Sequence, residues 1–138
     1  MPARGRRRTE KGSSSMIVVK VHPSNYLSAN DRMHWAEKAR RTKVLRSLAA
    51  HAWRKAGQPQ HQRVHCTILI GYPDRRKRDA HNLMPTAKAL IDGMVHPAPG
   101  VRGLLPDDSD IFITHLTVTP GPVTPGAFTL KFTFEEES

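Results

Sequence analysis

Residues 127–134 constrain the fold more than any other stretch of the chain. Phe128, Leu130, Phe132 and Phe134 alternate with Thr129, Lys131 and Thr133, so a strand here has one apolar face and one face suited to water. Such a strand needs both neighbours and a cover. Three further segments alternate in the same way. Residues 16–21 place Ile17, Val19 and Val21 on one side, residues 63–72 do so with Val64, Cys66, Ile68 and Ile70, and residues 111–119 form the third. Residues 119–126, with three prolines and two glycines, join the last two strands and predict a hairpin between them.

Two helices complete the cover. The first is expected from Asn30 or Asp31, either able to cap, to Ala56, stopped by Gly57 and Pro59. Leu45, Leu48, Ala49, Ala52, Trp53 and Ala56 share one face, and Arg40, Lys43 and Arg54 the opposite one. That basic face can track a phosphate backbone or simply be solvated. The second runs over residues 83–95, capped by Asn82, with Pro85 harmless in its first turn. The order strand, helix, strand, helix, strand, strand predicts one α/β (α+β) domain, a mixed sheet of about four strands packed on two helices.

The chain's 138 residues are enough for one such core. Residues 1–15 carry Arg4, Arg6, Arg7, Arg8 and Lys11 among Gly, Pro and Ser without apolar periodicity, and are read as a basic flexible tail ahead of a domain over 16–138. With 22 Lys and Arg against 12 Asp and Glu, the formal charge is +10, which favours a polyanionic partner and puts nucleic acid first. Cys66 is the single cysteine, so an internal disulfide and a thiolate zinc cluster are excluded. The N-terminal apolar run is too short for a signal core or a membrane span, and the expectation is a cytoplasmic protein with no membrane association.

Acidic residues are unevenly placed. Only Glu10, Asp31 and Glu37 precede Tyr72, whereas Asp74, Asp79, Asp92, Asp107, Asp108 and Asp110 follow in a short span. Carboxylates beside a bound phosphate repel it unless a divalent cation lies between, so acids in a basic surface point to a metal site. The second helix carries the chain roughly 20 Å from Asp79, and the segment after it is long enough to return Asp107 and Asp108 to the same place. Lys88 and Asp92, at i,i+4, can face that pocket or form an ordinary surface pair. Asp79, Asp107 and Asp108 can equally be turn residues, and no histidine spacing matches a zinc motif.

The run Arg75-Arg76-Lys77-Arg78-Asp79-Ala80-His81-Asn82, followed by Lys88-Ala89-Leu90-Ile91-Asp92 and then Asp107-Asp108-Ser109, resembles the RusA family of Holliday junction resolvases, including those of phages and prophages. The likeness covers residues 23–130 in element order and is densest over 73–110. It implies a homodimeric endonuclease, in a bacterial or phage-infected cell, that uses Mg2+ or Mn2+ to place paired nicks across branched, four-way DNA in recombination and repair. Asp79 then matches the first aspartate of an Asp-x-Asp-Asn motif, Asn82 its asparagine, Lys88 the catalytic lysine and Asp108 the later metal-binding aspartate, with Asp107 as its acidic neighbour. Arg75, Arg76, Lys77 and Arg78 would grip flanking phosphates.

Two departures mark this chain. Met84-Pro85-Thr86 is an added stretch between motif and lysine, and His81 stands where the family has its second aspartate. Imidazole suits Mn2+ better than Mg2+. His81 is therefore open to three readings: a ligand in a site shifted toward Mn2+, a general base, or a bystander to Asp79, Asp107 and Asp108. The alternative function is a branched-DNA-binding protein of the same fold that no longer cuts. An RNA-binding protein would explain the charge but not the placement of Asp79, Lys88 and Asp108.

Overall fold

The computed structural model describes residues 13–107, 109 and 111–137. It has four strands, β1 (Ser14–Val21), β2 (Val64–Gly71), β3 (Ile113–Pro120) and β4 (Phe128–Glu136), and two α-helices, α1 (Trp35–Lys55) and α2 (Met84–Val95). The expected mixed four-stranded sheet on two helices is present, as one α+β domain. Of the basic tail, residues 1–12 lie outside the described residues, and β1 begins at Ser14, two residues earlier than the alternation indicated.

The strand order is β1-β4-β2-β3, with β4 antiparallel to both β1 and β2, and β3 parallel to β2. This corrects the expected hairpin. β3 and β4 do not pair, and β2 lies between them. The reason is burial. Phe128, Leu130, Phe132 and Phe134 are all buried, each side chain contributing about 1.5 to 3 kcal/mol, whereas β3 exposes much of both faces and offers no comparable stripe. β4 takes a central place and β3 an edge. The Pro- and Gly-rich loop crosses the end of β2 instead of turning tightly: Gly121 N–H donates to Ile70 O at 2.7 Å and Thr124 N–H to Tyr72 O at 2.8 Å. A side chain at Gly71 would block it, because a Cβ there would lie 2.7 Å from Thr124 Cγ2 and 2.9 Å from Pro122 O.

The helices cover one face of the sheet. Leu45, Ala49 and Trp53 of α1 and Leu90 and Met94 of α2 join the apolar stripes of β1, β2 and β4 in one core. Gly93 is the contact point of the two helices, since a Cβ there would sit 2.3 Å from Arg46 O.

Both helix starts differ from expectation. α1 begins at Trp35, capped by His34, whose Nδ1 accepts from Ala36 N–H at 3.1 Å. Asn30 and Asp31 instead lie in a separate turn that Asp31 N–H closes onto Ser28 O. Ahead of α2, a 3-10 turn (Ala80–Leu83) runs directly into the helix, and its cap is Asp79 rather than Asn82. Asp79 comes from the loop at an extended ψ of 124° and its Oδ1 accepts from His81 N–H at 2.9 Å, so the non-helical backbone that a capping residue needs falls at Asp79, whereas Asn82 is already inside the 3-10 turn.

Candidate nucleic-acid and metal site

A cleft of about 700 Å³ opens outside the carboxyl ends of β1 and β2. Open α/β sheets commonly bind ligands at such an edge. One wall is the segment after β1, with Pro23, Tyr26, Ser28 and Asp31; the other is the loop after β2, from Pro73 to Asp79, with Asn82. Arg41, Arg76, Lys77 and Arg78 bring cations into the same space.

The wall after β1 is fastened at four places. Arg41 donates to Tyr26 O at 2.7 Å and to Glu37, and Arg40 reaches Asn25 Oδ1 and Ser24 O. Those two guanidiniums hold the Glu37 carboxyl down at about 2. Ala29 N–H donates to Asn82 O at 3.0 Å, which joins the two walls directly. Thr86, fully buried, donates to Leu27 O at 2.8 Å and accepts from Leu27 N–H at 2.7 Å. Thr86 of α2 therefore anchors the opposite wall, a role that nothing in its sequence spacing announced.

The four cations of the loop are not equivalent. Arg78 is a structural residue: it pairs with Asp74 at 2.8 Å, lies over the Tyr72 and Phe128 rings at 5.2 and 5.3 Å, and is only 17% exposed. Asp74 is held below the usual carboxylate range by the Arg78 hydrogen bond first and then by Arg76 N–H. Arg75, Arg76 and Lys77 are exposed and can meet phosphate. Phe128 also stacks on Tyr26, 3.8 Å between centroids, and burial raises the Tyr26 hydroxyl's pKa.

The residues singled out from sequence do not converge as expected. Asp79 and Asn82 line the cleft, joined by Asp31, which sequence reasoning treated only as a helix cap. Its scarcity was the available signal, as one of three acids before Tyr72. His81 is exposed on the same turn but does not line the cleft. Lys88 is also outside it, 70% exposed with Nζ 3.9 Å from Asp92 Oδ1, the surface-pair arrangement. Asp107 lies 3.7 Å from His96 at the other end of α2, a helix about 18 Å long, and does not line the cleft. Asp108 lies outside the described residues.

A second basic groove, about 790 Å³, runs along α1 toward the end of α2. Lys38, Lys43, Arg46, Arg54 and His96 line it, and Trp35, 75% exposed, stands at one end. Lys43 and Arg54 of the basic helix face thus border a second groove, whereas Arg40 is occupied in bracing the first cleft.

No protein-family model matches the chain, and no curated protein matches it significantly.

Proposed function

We propose that this chain is a divalent-metal-dependent endodeoxyribonuclease that nicks four-way DNA junctions, acting as a homodimer. The observation that carries this reading is the cleft itself, where Asp79, Asp31 and Asn82 lie among Arg41, Arg76 and Lys77. Cations alone would serve for phosphate binding. Carboxylates placed among them weaken phosphate binding unless a metal ion is bound between.

By donor type the residues suit that ion. Carboxylates and a side-chain amide are hard oxygen donors suited to Mg2+ or Mn2+, and His81 lies outside the cleft, so its imidazole does not shift the choice toward softer metals. Bound there, the cation would supply Lewis-acid activation of water and of a phosphoryl oxygen. The chain's own residues do the positioning. Asp79 is fixed by its cap bond to His81 N–H, Arg78 and Asp74 hold the loop, and Arg75, Arg76 and Lys77 receive the flanking phosphates. On this reading Asp107 joins the site from the second protomer, because within its own chain it pairs with His96, the residue that ends α2. A two-fold protein also meets the two-fold symmetry of a junction cut twice.

One observation favours a second reading, a branched-DNA-binding protein that does not cut: Lys88 and His81 both lie outside the cleft. The variant Asp79→Asn separates the two. On the nuclease reading it abolishes nicking and leaves junction binding intact or tighter, because a carboxylate facing phosphate is removed. Full nicking by this variant contradicts the assignment. The RNA-binding reading is tested by competition between junction, duplex DNA and structured RNA.

A further inference from the structure

A different group of metal-binding side chains stands at the opposite end of the sheet. His65 is the second residue of β2, His115 the third of β3, and Glu137 follows the last residue of β4. One ligand atom from each lies within 4.8 Å of the other two. The site is about 20 Å along β2 from the cleft described above, which opens beyond Gly71.

The backbone is shaped to bring these residues together. β2 and β3 pair as Val64 with Ile113 and then His65 with His115, so the register slips by one residue and Thr114 has no partner of its own. Such bulges re-aim side chains. Here the slip sets the two imidazoles side by side, 5.2 Å between centroids. On the other flank β4 pairs His65 with Glu135, and Glu137, two residues on, faces the same side of the sheet. Cys66 and Phe134 point the other way into the core, so the cluster lies on the sheet's uncovered face.

Glu137 is also oriented. The hydroxyl of the displaced Thr114 donates to Glu137 Oε1, and Oε2 lies 3.6 Å from His115 Nδ1. Two imidazoles and one carboxylate, with the carboxylate held by a neighbouring hydroxyl, form a donor set suited to zinc that leaves a fourth position open. Tetrahedral zinc at about 2.0 to 2.1 Å needs donors about 3.3 Å apart, and small side-chain rotations close the present spacing.

We propose that His65, His115 and Glu137 bind one Zn2+ per chain, at a site separate from the proposed nuclease centre and independent of it. The test is calorimetric titration of the chelator-treated full-length chain with ZnCl2, alongside the visible absorption of the Co2+-loaded chain. Wild type is expected to take one equivalent and to show the intense bands of tetrahedral Co2+. His65→Ala/His115→Ala is expected to lose both, whereas His51→Ala, an exposed control, keeps them. Thr114→Val should weaken zinc binding by about tenfold or more through the unheld carboxylate. Should the double variant fail to fold by circular dichroism, Glu137→Gln decides by the same criterion. A wild-type chain that takes no zinc, or a folded ligand variant that binds it as tightly as wild type, overturns the proposal.

Discussion

Asp79 and Asp107 stand at opposite ends of one continuous helical run. Asp79 caps the 3-10 turn Ala80–Leu83, which passes directly into α2, and Asp107 lies 3.7 Å from His96, the residue that ends α2. In the proposed nuclease a second protomer supplies Asp107. Mixing chains that carry Asp79→Asn with chains that carry Asp107→Asn and Asp108→Asn should then restore cutting. A mixed dimer has one site with every aspartate intact, so single nicks are expected from two inactive parents. Continued inactivity of the mixture, with mixed dimers verified, contradicts the shared site.

The crossing of the helices gives a direct test of the packing. Gly93 meets the Arg46 backbone so closely that a Cβ would lie 2.3 to 2.9 Å from three of its atoms, none of which can rotate away. Gly93→Ala should destabilise the domain by roughly 1 to 3 kcal/mol, the usual cost of overpacking, despite alanine's better helix propensity. Urea unfolding with an unchanged midpoint would contradict this contact.

Cys66 lies fully buried on β2, and that burial pushes its thiol up to about 12. The thiolate is the reactive form, so the native protein should resist a thiol-reactive disulfide reagent at pH 8 and react fully once unfolded. Rapid stoichiometric labelling of the folded chain would place Cys66 elsewhere.

Glu37 supplies an acid-dependent term. Hydrogen bonds from Arg40 and Arg41 lower its pKa from 4.5 to about 2, so the folded state binds this proton less readily than the unfolded one. A depressed pKa means the stabilisation is present above about pH 4.5 and lost as pH falls through about 2. The group is exposed, so the effect is small and screened by salt. Glu37→Gln should flatten the decline in stability across that window, and an unchanged slope would show that the two arginines do not act on it.

Local pattern made much of this fold legible. The stripe from Phe128 to Phe134 is buried as alternation required, and Leu45, Ala49 and Trp53 of the expected α1 face are buried, whereas Leu48 and Ala52 are only partly covered and Ala56 is exposed. Strand order was not legible, because alternation says which face is buried and not which neighbour is hydrogen-bonded. The loop from Gly121 to Gly126 carries hairpin chemistry, yet it spans the end of β2, and only the stronger burial of β4 accounts for that.

The candidate site was legible in part for a related reason. Asp79 and Asn82 are close in sequence and meet in one turn, whereas the place of Asp107 depends on the whole path after α2. Arg78 carries the same charge as its neighbours, and nothing local distinguishes it as the one that closes over Tyr72 and Phe128. The meeting of His65 with His115 depends on a bulge that has no sequence signature here.

In the proposed function the cleft around Asp79 cuts branched DNA with a divalent metal. Its most direct test is incubation of the full-length chain with an end-labelled four-way junction in Mg2+ and then in Mn2+, with Asp79→Asn run in parallel. The expected result is paired, symmetric nicks from the wild-type chain in at least one metal, and bound but uncut junction with the variant. Junction binding without nicks in either metal would contradict the claim and leave a DNA-binding protein.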